Sequence, residues 1–171
     1  PETSPAFQVN RLCGSGLQAV VSAYQLIELG DTHAALAGGV EVMSRSGYLL
    51  ANHRFGARMG DGTVQDMMMG VLHDPFSGVH MGVTAENIAD EYNISRDEMD
   101  EFAISSQERA AAAAEAGFFK KQIVPVEVKQ RRASLMFDED EHIKPNTSKE
   151  ALADLRAAFK KDGAVTAGNA S

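Results

Sequence analysis

Between Phe7 and Val42 the sequence changes its period twice, and that change dictates the local chain path. Phe7–Val9 is a short apolar run that reads as the end of a strand. Asn10-Arg11-Leu12-Cys13-Gly14-Ser15-Gly16 follows. Leu17, Val20, Val21, Tyr24, Leu26 and Ile27 then recur at helical spacing. Gly30 with Asp31 supplies the expected helix stop. Ala34–Val42 is apolar with Gly38 and Gly39, the pattern of a strand buried on both faces. Strand, sharp turn, helix and strand make a βαβ unit, which predicts a layered α/β class.

The turn puts Cys13 at a helix N-terminus among small residues. Small residues let the backbone turn sharply and let a bulky substrate approach. Unpaired N–H groups and the helix dipole favour an anion there, and a thiolate is one. The arrangement is that of a nucleophile elbow. A lone cysteine is also commonly a small buried apolar residue, and the residues alone serve both readings equally.

The remaining chain divides by texture. Ser44–Gly82 is rich in glycine and methionine and reads as covering loops with a few short elements. Thr84–Tyr92 is a short helix. Ser95 with Glu98 is a capping box opening a longer helix, with Met99, Phe102, Ala103 and Ala110 on its apolar face and Gly117 at its end. Ile123–Val128 contains Pro125 and reads as an edge strand. Lys129–Asn146 is polar and mixed. Thr147 or Ser148 starts a last helix carrying Leu152, Leu155 and Phe159, stopped by Gly163, and Val165–Ala167 reads as a strand.

Composition removes several function classes. The 171 residues carry a net charge of −8, which argues against nucleic acid as a partner. A single cysteine excludes an internal disulfide. No apolar run approaches the roughly 20 residues a membrane span needs. His33, His53, His73 and His142 show no metal-ligand spacing, so no metal site is expected. Gly38-Gly39 lacks the spacing of a dinucleotide turn, and close packing in the sheet explains it better.

Five blocks, in order, resemble the thiolase family. They are Asn10-Arg11-Leu12-Cys13-Gly14-Ser15-Gly16-Leu17-Gln18-Ala19, Ala37-Gly38-Gly39-Val40-Glu41-Val42-Met43-Ser44, and His80-Met81-Gly82-Val83-Thr84-Ala85-Glu86-Asn87. Asp100–Gly117 and Val165-Thr166-Ala167-Gly168-Asn169-Ala170-Ser171 complete the set. The resemblance implies a thiolase-type layered α/β fold. Residues 1–43 would form part of the core domain with the nucleophile turn. Residues 44–164 would form an inserted α+β loop (cap) domain, and residues 165–171 a return strand.

The implied activity is acetyl-CoA C-acetyltransferase chemistry, the condensation of two acetyl-CoA to acetoacetyl-CoA and its reverse. The alternatives are a 3-ketoacyl-CoA thiolase of fatty-acid β-oxidation, or a truncated non-catalytic remnant that binds coenzyme A or a subunit. Cys13 would attack the thioester and carry the acyl group, and its N–H would help hold the oxyanion. His80 and Met81 would line the pantetheine channel, and that pair is typical of the short-chain type. Ser171 would bond the pantetheine, with Leu72 and Phe159 packed near it. Lys144 stands where many relatives have arginine beside the adenine; it keeps the charge without the planar stacking surface. Coenzyme A would be a substrate, and no cofactor would be bound permanently.

The loop Leu50–Asp66 resembles the segment that pairs dimers into tetramers, so a homo-oligomer is implied. A cytoplasmic location is expected, with a mitochondrial or peroxisomal matrix as the alternative. The family's Asn-Glu-Ala segment, its His-Pro-x-Gly histidine and its second cysteine would lie beyond Ser171. The chain opens on Pro1 rather than Met, and the expectation is a piece of a longer protein, without turnover by itself. Met67–Met69 read as packing beneath the cap, Lys129, Arg131 and Arg132 as a solvated strand end, and Asp138–Glu141 as an acidic turn.

Overall fold

The expected helix forms as α1, Ser15–Glu28. Its end is a Schellman turn: Gly30 takes φ 80, its N–H donates to the Ile27 carbonyl at 3.1 Å, and the Asp31 N–H donates to the Leu26 carbonyl at 3.0 Å. The structure is a computed structural model describing residues 2–131 and 133–170. The chain divides into two compact units, residues 1–73 and 74–171.

In the first unit, the strands expected at Phe7–Val9 and Ala34–Val42 do not form among the described residues. Leu36 is 102% and Val40 93% exposed, the reverse of the burial expected. A strand needs a neighbour to complete its ladder, and among the described residues no strand pairs with either run. The chain after α1 does return along it, since a Cβ on Gly39 would lie 3.9 Å from the Gly16 Cα. A Cβ on Gly38 would meet open space and neither glycine lies in a strand, so the close packing in a sheet expected at Gly38-Gly39 is not seen in this chain. The covering region contains the few short elements expected. They are a single 3-10 turn at Met43–Arg45, β1 (Tyr48–Leu49) antiparallel to β2 (Gln65–Asp66), and α2 (Met67–Val71). The Asp66 carboxylate caps α2 by accepting from the Met68 N–H at 2.9 Å.

The second unit opens with a turn closed by Asp74. Its carboxylate accepts from the Ser77 hydroxyl and from the N–H groups of Phe76 and Ser77. Those bonds hold it below the usual aspartate range. Then come α3 (Met81–Tyr92) and α4 (Arg96–Glu115). The capping box of α4 is complete: the Ser95 Oγ accepts from the Glu98 N–H, and the Glu98 carboxylate accepts from the Ser95 N–H at 2.8 Å. The Ser95 backbone N–H, contributing most, and the Ser95 hydroxyl both donate to this carboxylate and hold it below its ordinary range. Gly117 follows the helix at φ 76.

The edge strand begins after Pro125, as β3 (Val126–Lys129), and pairs antiparallel with β4 (Ser134–Phe137) inside the stretch where no element was expected. The last helix, α5 (Lys149–Ala153), is capped by Ser148 as predicted but ends ten residues before Gly163. The reason is competition for the backbone. The Ala158 N–H bonds the Val165 carbonyl at 2.9 Å and Ala157 bridges Thr166, so this stretch pairs with the return segment instead of winding on. The return at Val165–Ala167 is accordingly an isolated bridge, not a strand.

The core of this unit mixes apolar and polar groups. Ala89, Leu152 and Val165 are buried with Glu86, Asp100 and Thr166. The Asn169 amide donates to Asp100 at 2.8 Å and to the Ala164 carbonyl at 3.1 Å. Arg96 pairs with Asp100 at 2.7 Å and donates to the carbonyls of Leu152 and Leu155. Each buried polar group thus has a partner, as burial requires. Among the described residues no helix is long and apolar enough to cross a membrane.

Candidate active site

Cys13 sits in a single 3-10 turn, Leu12–Gly14, immediately before α1, and it is exposed. The turn is laced by its neighbours. The Asn10 side chain accepts from the Leu12 N–H at 3.0 Å, and the Ser15 hydroxyl accepts from the Arg11 N–H at 2.9 Å while donating to the Leu12 carbonyl at 2.7 Å. Leu12 is held at φ 50, a left-handed conformation that a branched side chain rarely adopts. In this chain the Cys13 thiol is open to solvent rather than packed in a core. The sequence marked the cysteine but not the strained residue before it. Nothing in a leucine announces a positive φ, whereas the Asn10 and Ser15 that stabilise the turn were visible as turn-forming types.

In the second unit the structure brings His80 and Phe159 together. Their rings stack at 4.8 Å and 19°. Gly82 makes room, because a Cβ there would run into the Phe159 ring. His80 also caps α3: its Nδ1 accepts from the Gly82 N–H at 3.0 Å, which places the proton of the neutral ring on Nε2. Met81, the first residue of α3, is half exposed. Lys144 is exposed and tied by its own N–H to the Gln107 side chain on α4 at 2.8 Å. Leu72 ends α2 in the first unit. Ser171 and Arg132 lie outside the described residues.

Glu86 is a residue that sequence reasoning missed. It is 1% exposed, and its two oxygens accept from the N–H groups of Ala164 and Val165 at 2.9 and 2.8 Å. One signal was available. Gly82, Glu86 and Ala89 are the buried residues of α3, and they fall on a single helical stripe. Among the described residues no cluster of three His, Cys, Asp or Glu could hold a metal. A cavity of about 400 Å³ between the end of α4 and the residues after β4 is lined by Phe119, Ile123, Ile143 and others, and by none of the predicted site residues.

The family model described as Thiolase, N-terminal domain, matches residues 1–171. The chain belongs to the thiolase family. It is 57% identical over 169 residues to Beta-ketothiolase BktB of Cupriavidus necator, covering 98% of this chain and 43% of that protein. It is 53% identical to a probable acetyl-CoA acyltransferase of Staphylococcus epidermidis, covering all of this chain and 44% of the relative. Among solved structures, the Bacillus anthracis acetyl-CoA acetyltransferase superposes with a TM-score of 0.92 at 46% identity, covering 100% of this chain and 43% of that one. Human mitochondrial 3-ketoacyl-CoA thiolase in complex with CoA superposes with a TM-score of 0.89 at 44% identity, over 100% and 42% of the two chains. The thiolase chain therefore spans less than half the length of these relatives and follows the α/β thiolase path throughout.

Proposed function

We propose that this chain is the acyl-carrying part of a thiolase that transfers acetyl groups between coenzyme A thioesters. The observation that carries the reading is the exposed Cys13 thiol at the head of α1, in a chain that belongs to this family. The Cys13 sulfur attacks the thioester carbonyl. The tetrahedral oxyanion collapses, coenzyme A leaves as thiolate, and the acyl group stays on sulfur. The Cys13 backbone N–H helps hold the developing charge in this proposal. Condensation then needs an enolate of a second acetyl-CoA, and thiolysis needs the thiolate of coenzyme A, so both directions pass through the same acyl-cysteine.

His80, Met81 and Phe159 form the coenzyme A side in this proposal, with Leu72, Lys144 and Ser171 as further contacts. The stacked ring pair supports it, since a flat aromatic platform beside a helix N-terminus suits a pantetheine chain. The division into core (1–43), cap (44–164) and return segment (165–171) belongs to the same reading. So does self-association through Leu50–Asp66, where Phe55 and Met59 are 95% and 98% exposed. The proposed compartment is the cytoplasm.

Relatives named for acetyl-CoA and for 3-ketoacyl-CoA match comparably well, so a 3-ketoacyl-CoA thiolase is the second reading. A thiolysis series on the intact protein separates them. The short-chain reading expects acetoacetyl-CoA to give the highest kcat/KM. A preference for longer 3-ketoacyl-CoA moves the second reading to the front, and no cleavage of any member ends both.

A further inference from the structure

We propose that Glu86 is a positioning residue that sets the Phe159 ring against His80, and so shapes the coenzyme A contact; the inference rests on the reading of that ring pair given above. The path from Glu86 to Phe159 is a short series of hydrogen bonds. The Val165 N–H donates to the Glu86 carboxylate at 2.8 Å. The carbonyl of the same residue, Val165, accepts from the Ala158 N–H at 2.9 Å. Ala158 is the residue before Phe159.

The loop between is closed on itself. The Gly163 N–H bonds the Lys160 carbonyl at 3.1 Å, and Asp162 takes φ 58. Gly163 presses against the Glu86 carboxylate closely enough that a Cβ would collide with it. Helix α3 therefore meets this loop at successive levels along its length: His80 and Gly82 at Phe159, Glu86 at residues 163–165, and Asp90 at Lys160. The last pair raises the Lys160 pKa through its hydrogen bond to Asp90. Of the polar side chains in these contacts only Glu86 is buried, at 1% exposure, and water cannot replace it there.

The two acceptor oxygens explain the residue type. Each oxygen takes one backbone N–H, so a glutamine of the same shape would turn an NH2 group toward one of the two donors. A purely structural anchor would lower stability without altering the affinity of the folded protein. A positioning residue alters the affinity of the folded protein and does so through Phe159.

The test is a double-mutant cycle on the intact protein with E86Q, F159L and the pair, reading KM for coenzyme A, kcat and the thermal midpoint. The expected result is a roughly tenfold rise in KM for E86Q, larger than any fall in kcat, the scale a small misplacement produces. F159L raises KM as well, and E86Q adds little in the F159L background. E86D, which keeps the charge but reaches less far, gives an intermediate KM and serves if E86Q does not fold. An E86Q (or E86D) KM equal to that of the unaltered protein overturns the inference, as does a rise that is the same in both backgrounds. A KM unmoved by F159L instead overturns the coenzyme A reading of the ring pair on which the inference stands.

Discussion

The two halves of this chain differ in charge and in burial: residues 1–73 carry 10 of the 40 Asp, Glu, Lys and Arg residues, and residues 74–171 carry 30. In residues 2–73 no described residue is fully buried, and Leu36, Val40, Phe55 and Met59 are almost wholly exposed. The side-chain hydrogen bonds there are local, the longest being Arg11 to Gln18. In residues 74–170, Glu86 reaches residues 164–165, Asp100 reaches Asn169, and Arg96 reaches Leu152 and Leu155. The lesson is that apolar composition alone does not make a core. Within this chain, which spans less than half the length of its relatives, a few polar side chains tie the ends of the second half to its middle, while the apolar runs of the first half find no partner among the described residues.

The largest effect expected is on chemistry and falls in the open half. Cys13→Ser in the intact protein should lower thiolysis by at least roughly 10³-fold, the scale of losing a covalent nucleophile. Its thermal midpoint should hardly move, because serine replaces the thiol with a group of nearly the same size and shape. Activity surviving in Cys13→Ser would erase the contrast between a catalytic half and a structural half.

On stability the contrast runs the other way. Leu152→Ala removes a side chain that is 5% exposed and should cost about 2–5 kcal/mol in chemical denaturation of this chain. Leu36→Ala should stay within about 0.5 kcal/mol. Equal losses at the two positions would mean that the first half has a core after all.

Much of the closed half was legible from sequence. The Ser95–Glu98 box, the Ser148 cap and the Gly117 stop are local signals read by nearby backbone, so they survive any tertiary context. The Cys13 turn and α1 were legible for the same reason. What failed was non-local. Ala34–Val42 has strand composition, but a strand exists only with a partner. The end of α5 was set by Val165, which takes the Ala158 N–H from across the fold. The β4 strand hid because Ser134–Phe137 is short and sits in polar surroundings. Glu86 hid because its partners are two backbone N–H groups far along the chain. In the site, Cys13 and the His80 segment were visible as motifs, while the stacking of Phe159 on His80 could only come from coordinates.

Smaller effects refine the comparison. Ser95→Ala should cost about 1 kcal/mol, the usual worth of an N-cap. The Glu98 half of the box adds a pH dependence. Its folded pKa lies below the ordinary value, so its contribution is complete above that value and fades as pH falls through the lowered one. An acid titration of thermal stability that is identical for Glu98→Gln and the unaltered chain would contradict this. The smallest effect should be Asp90→Asn, which breaks an exposed ion pair with Lys160 and should leave the thermal midpoint nearly unchanged.

The most direct test of the central claim is to trap the acyl group. The intact protein is incubated with acetyl-CoA, quenched in acid and digested, and its peptides are weighed. The account predicts one acetyl group, on the peptide carrying Cys13, that disappears when free coenzyme A is added before the quench. An unmodified Cys13 peptide, or an acetyl group elsewhere that coenzyme A does not remove, would contradict it.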